Sequence, residues 1–395
     1  MRIALLIESA GAGAGRHVLD LADTLSQLGH SIDLVYNSVR ADPMFRARLE
    51  GLAPRLTGTL GLRLAHWPHP ADAYAVARLR AYLRRRGPFD ILHFHSTKAG
   101  FLGRIGLCRF AAATVYTPHA PLSMSPSISA AARFAVRALE VALSRRTSAV
   151  IAVCQQEADH LIELGIAPAK VSVVRNGVPA LSRREGVSSR MRLGIPDGDV
   201  AIGYVGRLEA QKRLDLLLHA VSKLPERVKD SVRLVIVGGG SLESKLRALS
   251  VALGLEGRVI WAGEVERAET YMPAFDIFAL TSDYEALPYV LLEALASGLP
   301  IVTTRVGGAT LAVKHDRNGF VLQPGDVSGL SGAIADLVME PALRSRMAEA
   351  SRVLSRQFSL DEMVRGTLKV YAKALGIVSL EQRRTATAIE VRTGS

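Results

Sequence analysis

Met1-Arg2-Ile3-Ala4-Leu5-Leu6-Ile7-Glu8-Ser9-Ala10-Gly11-Ala12-Gly13-Ala14-Gly15-Arg16-His17 opens the chain. Residues 3–7 are apolar without alternation, the pattern of a strand buried on both faces. A glycine-rich turn over 11–15 follows, and an amphipathic stretch from about Arg16 to Leu28 reads as a helix. Strand, glycine turn and helix in this order begin a parallel α/β unit. The same reading holds for apolar runs at 32–36, 91–94, 114–116 and 150–153. The second half repeats the plan at 201–205, 234–237, 259–261, 277–280 and 301–303, with helical segments between. Two doubly wound α/β domains in series are expected.

The bulk composition agrees. A chain of 395 residues, 49% of them hydrophobic, is too long for one core and rich enough to fill two. The expected organisation is a first domain over 1–180, a linker over 181–199 and a second domain over 200–358. A helix over 359–376 and a polar tail over 377–395, expected to be disordered, complete it. No apolar stretch is long enough to span a bilayer. The acid at position 8 and the early glycine turn argue against a secretory signal. Cys108 and Cys154 stand far apart without metal-ligand spacing, which points to a reduced, cytoplasmic setting.

The net charge of +12 is uneven: residues 1–180 carry 21 Lys and Arg against 12 Asp and Glu. The surplus includes Arg84, Arg85, Arg86, Arg104, Arg109, Arg133, Arg137, Arg145 and Arg146. A basic half of this kind suits an anionic membrane surface or a phosphorylated substrate, or is a solvated face without a partner. Few aromatics accompany the arginines and no nucleic-acid motif appears, so nucleic acid is not expected.

Three groups carry chemistry. In Ser282-Asp283-Tyr284-Glu285-Ala286-Leu287-Pro288-Tyr289-Val290-Leu291-Leu292-Glu293, two acids stand eight positions apart around a proline suited to open a helix. Glu285 falls ahead of that helix and Glu293 inside it, where free N–H groups favour anions. A buried helix with one satisfied carboxylate explains the spacing equally well. In Gly206-Arg207-Leu208-Glu209-Ala210-Gln211-Lys212, two cations flank a strand-to-helix turn and could bind a diphosphate, Arg as a planar fork and Lys as a point charge. The first glycine cluster is neither a phosphate-binding loop ending in Gly-Lys-Ser/Thr nor a convincing dinucleotide fingerprint, and a tight turn also explains it. His119, in Thr117-Pro118-His119-Ala120, follows a strand and is either a structural residue or a site residue. His93 and His95 have a spacing a metal could use, but no acidic or thiol third ligand is evident, so no metal site is expected.

Together these segments resemble one family: retaining glycosyltransferases of the GT4 type, in the glycogen-synthase-like superfamily with the GT-B fold. The resemblance runs through the glycine turn, His93-Phe94-His95-Ser96-Thr97-Lys98-Ala99-Gly100-Phe101-Leu102-Gly103, Tyr116 to Ala120, Asn176-Gly177-Val178, Gly206 to Lys212, Glu285 to Glu293, Gly307-Gly308 and Asn318-Gly319. It is most like bacterial members that build exopolysaccharide, capsule or lipopolysaccharide. It implies two Rossmann-like domains facing a central cleft, with the C-terminal helix crossing back to the first. It further implies that Arg207 and Lys212 hold the donor diphosphate and that Glu293 meets the ribose hydroxyls. Glu285 would face the donor sugar, helped by the backbone of Ala286, Leu287, Pro288 and Tyr289. His119 would lie beside the reactive carbon; Gly13, Gly15, Arg16 and Gly206 would surround the phosphates, and Val265 the base.

The activity so implied is metal-independent transfer of a hexose from a nucleotide sugar, UDP in preference to GDP, with no cofactor. The acceptor expected is a glycan carried on polyprenyl diphosphate, met at the inner face of the membrane. Departures exist: Ala286 replaces a common glycine, Gly240 a common acid, and Leu311 a common glutamate. The alternatives are an epimerase or phosphorylase of the same fold, or, given Leu311, an inactive nucleotide-sugar-binding subunit.

Overall fold

In a computed structural model of the chain, residues 1–65, 69–70, 72–124, 129–179, 184–265, 267–285 and 287–377 are described. They fall into two compact units: Met1–Arg175 with the segment that begins at Asp361, and Asn176–Leu360.

The first unit holds seven strands: β1 (Arg2–Ile7), β2 (Ser31–Asn37), β3 (Gly58–Leu62), β4 (Phe89–His95), β5 (Ala111–Thr117), β6 (Ala149–Ala152) and β7 (Val171–Val173). They form one sheet in the order β3-β2-β1-β4-β5-β6-β7, with every pair parallel. β1 is the central strand, and Ile3, Ala4, Leu5, Leu6 and Ile7 are all buried, as its unbroken apolar run requires. The winding direction reverses between β1 and β4, so the loops after these two strands open side by side at the carboxyl edge.

The second unit repeats the plan with β8 (Val200–Val205), β9 (Val232–Val237), β10 (Val259–Gly263), β11 (Ile277–Leu280), β12 (Ile301–Thr304) and β13 (Gly319–Leu322). Its order is β10-β9-β8-β11-β12-β13, again all parallel, and its reversal lies between β8 and β11. Apolar residues of these strands join Leu214, Leu217, Leu218, Leu291, Leu292, Leu330 and Ile334 from the helices in one core.

Three departures from the sequence reading have physical causes. The strands β3, β7 and β13 went unpredicted; each is a sheet edge, short and partly exposed, with at most the three-residue apolar run of Phe320-Val321-Leu322. The first helix starts at Ala12 and ends at Gln27, so Gly13, Gly15 and Arg16 belong to its first turns and not to a loop ahead of it. The stretch expected as a linker carries the helix Arg184–Leu193, tied into the second unit by Arg190, which donates to Asp276 and the Ala274 carbonyl. The C-terminal helix, Leu360–Ala374, belongs to the first unit, where Tyr371 donates or accepts at His93 Nδ1 across 2.7 Å. The expected disordered tail lies outside the described residues from 378 onward. No helix among the described residues is long and apolar enough to cross a membrane.

Glycines of the 93–103 motif explain themselves by packing. The helix Thr97–Gly106 lies on β4 and β5, and a Cβ at Gly100 would stand 2.3 Å from the Tyr116 ring. One at Gly103 would stand 2.1 Å from the Phe94 ring. Only glycine lets this helix approach the sheet so closely.

Candidate active site

In the second unit, the loops after β8 and β11 are sewn together before any side chain reaches outward. The Asp283 amide donates to the Gln211 carbonyl at 2.9 Å, and Gln211 Nε2 donates to the Tyr284 carbonyl at 2.7 Å. Thr281 Oγ1 donates to the carbonyls of Lys212 and Arg213. Thr304 Oγ1, from β12, donates to the Ser282 carbonyl at 2.6 Å. This lattice places Lys212 Nζ against Glu285 Oε1, with side chains only 14% and 12% exposed. Ser282 Oγ donates to the same carboxylate oxygen at 2.9 Å. A largely buried ammonium beside a largely buried carboxylate holds each charge in place, a poised arrangement for a polyanionic ligand.

Arg207 is exposed on the same turn, and among the described residues its guanidinium forms no ion pair. Its carbonyl is fixed by the Tyr204 hydroxyl at 3.0 Å. Burial, and then the negative charge of Glu285, push the Tyr204 phenol far up, so it stays neutral and serves as a donor. Gly206 continues the β8–β9 ladder by donating to the Val237 carbonyl. Glu209 accepts from the Ser241 amide and hydroxyl; these bonds lower its carboxyl and join the turns after β8 and β9.

Pro288 caps the helix Tyr289–Ala296 with φ of −70°, as its sequence position implied. Leu287 and Tyr289 are buried, and the Leu287 carbonyl accepts from Asn176 Nδ2 at 3.4 Å. Glu293 lies inside this helix at 2% exposure. Val265 sits just beyond β10, partly buried against the core. Leu311, in the helix Ala309–Ala312, also packs on that core, which accounts for an apolar residue there. Ala286 lies outside the described residues.

The remaining expected residues belong to the first unit. At the start of the helix Ala12–Gln27, the Ala12 amide is held by Asp42 Oδ2 at 2.9 Å. A Cβ on Gly15 would lie 3.1 Å from the Ala10 carbonyl carbon, so this glycine permits the helix to leave β1 tightly. Arg16 Nε faces Asp20 Oδ2 at 3.4 Å. Asp42 thus brings an acid to the very turn that the family resemblance assigned to phosphates. Arg104, counted in the basic surplus, is fully buried with Glu140 at 2.8 Å and does not belong to a surface field.

His119 follows β5 with φ of 53°, and Ala120 after it has φ of 66°. Glu157 fixes this unusual backbone: its carboxylate accepts from the Ala120 amide at 2.7 Å and the Val153 amide at 2.6 Å. Burial raises the Glu157 carboxyl to about 7, against the pull of those two amides. His119 Nε2 lies 3.1 Å from His95 Nδ1, and the His17 ring packs edge-on to His119 at 4.6 Å. Burial drives the imidazoles of His93, His95 and His119 well below the usual histidine range. His93 itself is fixed between Tyr371 and Thr117 Oγ1.

The structure therefore joins Lys212 and Glu285 directly, with Arg207 on the same turn, and sets His119 in a histidine cluster of the other unit. Sequence reasoning missed Ser282, Asp42, Glu157 and the grouping of His17 with His95 and His119. His17 was in view beside the glycine turn, but nothing in its spacing linked it to residues 95 or 119.

Comparison with known proteins shows the family. The family model for group 1 glycosyl transferases matches residues 188–353, and that for glycosyltransferase family 4 matches residues 11–180. A D-inositol 3-phosphate glycosyltransferase of Acidothermus cellulolyticus is 31% identical over 95% of this chain and 87% of its own length. A protein of the same description from Mycobacterium avium is 29% identical over 94% and 91%. Among solved structures, Anabaena HepE in complex with UDP superimposes with a TM-score of 0.79 at 23% identity, covering 94% of this chain and all of that one. HepE has also been solved with UDP-glucose. Two doubly wound parallel sheets and matches along both halves place this chain among the GT4-type glycosyltransferases, with the GT-B fold.

Proposed function

We propose that this chain transfers a hexose from UDP-hexose to an acceptor hydroxyl with retention at the anomeric carbon. The observation that carries the reading is the Lys212–Glu285 pair held by Ser282 beside exposed Arg207. Arg207 and Lys212 neutralise the leaving diphosphate, so no metal is needed at that phosphate. Glu285 faces the donor sugar and steadies positive charge on its ring as the bond to phosphate breaks. Glu293 binds the ribose hydroxyls, the backbone of 286–289 supports the sugar, and Val265 adjoins the base. Gly13, Gly15, Arg16, Gly206 and His119 line the phosphates and the reactive carbon. The acceptor oxygen attacks from the leaving-group face, forming the new C–O bond as the bond to phosphate breaks. The departing phosphate oxygen takes the acceptor's proton, and no side-chain base is required.

For the acceptor, the surplus of basic residues in 1–180 favours a phosphorylated molecule. The first reading is a glycan on polyprenyl diphosphate, met at an anionic membrane surface during surface-polysaccharide assembly. The second is a phosphorylated inositol, favoured by relatives described as D-inositol 3-phosphate glycosyltransferases.

A thermal-shift panel of UDP-, GDP- and ADP-sugars identifies the donor, since a ligand that binds the folded state raises Tm. Mass spectrometry of products with D-inositol 3-phosphate and with a polyprenyl-diphosphate glycan then separates the two acceptors. Donor binding without transfer to any acceptor would return the inactive-subunit alternative. An altered free sugar nucleotide would point to an epimerase.

A further inference from the structure

We infer that His17, His95 and His119 form a site for one divalent transition-metal ion of the zinc class, bound by three imidazoles with a fourth position open to an oxygen ligand. The three residues come from separate elements: the helix Ala12–Gln27, the end of β4 and the loop after β5. One nitrogen from each lies within 4.8 Å of the other two. His95 Nδ1 and His119 Nε2 are 3.1 Å apart. Two imidazole nitrogens on one tetrahedral zinc stand about 3.3 Å apart, since each Zn–N bond is about 2.0–2.1 Å. The ring centroids are separated by 4.6, 5.3 and 5.5 Å. Three rings sharing a tetrahedral ion would be spaced by about 5 Å on the same bond lengths.

Other observations point the same way. His95 is fully buried. Burial keeps His95 and His119 neutral, the form that ligates a metal. Outside the three, the His93 ring lies 3.9 Å from that of His95 and is itself fixed by Tyr371 and Thr117. That ring contact restrains His95 from outside the cluster. Three neutral ligands leave the full charge of the ion, so the open position would favour an anionic oxygen such as a phosphate or a hydroxide. Its three ligands belong to the first unit, the cations assigned to the diphosphate to the second, and His119 is shared with the residues assigned beside the reactive carbon.

The test uses the full chain, stripped with a chelator and titrated with Co²⁺ alone. One ion per chain is expected, with the intense visible bands of a tetrahedral cobalt centre. The variants His17→Ala and His95→Ala should each lose affinity by about 100-fold or more. His219→Ala, which alters a histidine of the second unit, should bind as the parent does. Should His95→Ala fail to fold by circular dichroism, His17→Gln and His119→Gln decide in its place. Absence of stoichiometric binding, an octahedral spectrum, or binding that survives loss of His17 would overturn the site. Because the readout is the metal alone, either result leaves the glycosyltransferase reading where it stands.

Discussion

Lys212 and Glu285 are 73 positions apart in sequence, yet their side chains form an ion pair between the loops that follow β8 and β11. Ser282 shares the carboxylate. The pair sits at the reversal point of the sheet, where the open edges of doubly wound domains collect ligands. Replacing Glu285 by Gln keeps the hydrogen bonds and removes the charge. Replacing Lys212 by Ala removes a cation from the expected diphosphate. Each is predicted to lower kcat/KM for transfer by about 10²–10³-fold, the range for losing one preorganised electrostatic contact. The fold should persist by circular dichroism. Near-normal turnover in either variant would remove these residues from the reaction.

A second prediction follows from the helix Thr97–Gly106. The Cβ of Gly103→Ala would penetrate the Phe94 ring, which is itself fully buried beneath the helix. Neither the ring nor the helix can withdraw without opening the core, so overpacking is expected to cost about 1–3 kcal/mol. The urea midpoint should fall correspondingly. Gly51→Ala meets nothing within 4 Å and is the control within the same unit. Equal midpoints for the two variants would show that the helix is free to shift.

What the sequence revealed and what it hid follow from the same physics. Unbroken apolar runs such as 3–7 and 277–280 could only be central parallel strands, so both sheets were legible. Gly58–Leu62, Val171–Val173 and Gly319–Leu322 were not, since an edge strand buries less and needs no such run. The helix Arg184–Leu193 has a polar sequence and reads as a linker; what holds it is Arg190 reaching Asp276, a partner 86 positions away. Within the candidate site, the residue types of Arg207, Lys212, Glu285 and Glu293 were visible. Their pairing was not: Lys212 meets Glu285, whereas Glu293 is enclosed in its own helix. The histidine cluster was invisible for a similar reason. Four parallel crossovers bring residues 17, 95 and 119 to one edge, and no local pattern records that.

The helix Ala130–Ser144 gives a third prediction. Ser129 caps it, accepting from the Ala132 amide at 3.2 Å. Phe134 is 74% exposed and Leu139 is also exposed, on a helix that carries exposed Arg133 and Arg137. Exposed apolar side chains interspersed with arginines suit the boundary of an anionic bilayer. Sedimentation with vesicles rich in phosphatidylglycerol is expected to capture the protein, and capture should weaken as salt rises. Phe134→Ser should reduce binding by about 10–100-fold, from loss of about 1.5–3 kcal/mol of apolar burial. Equal recovery with neutral and anionic vesicles would sink the membrane surface.

Acid should destabilise the metal-free protein, beginning near neutrality. His93, His95 and His119 have folded-state pKa values well below 6.5 because burial disfavours their charged forms. Their contribution to stability is complete above the unfolded value of 6.5. As pH falls below it, the unfolded chain takes up protons that the folded chain refuses, and stability declines. Glu157 acts in the opposite sense. Its carboxyl is raised from 4.5 to about 7, so the folded state holds a proton that the unfolded state releases across that window. Its share of stability therefore grows as pH falls from about 7 towards about 4.5. Three histidines oppose one carboxyl, so the net change on acidification is a loss. Urea midpoints measured between about pH 7.5 and about pH 5.5 should decrease, and more steeply in Glu157→Gln, which lacks the compensating proton. A midpoint that is flat or rises on acidification would mean that the buried histidines are charged in the folded protein.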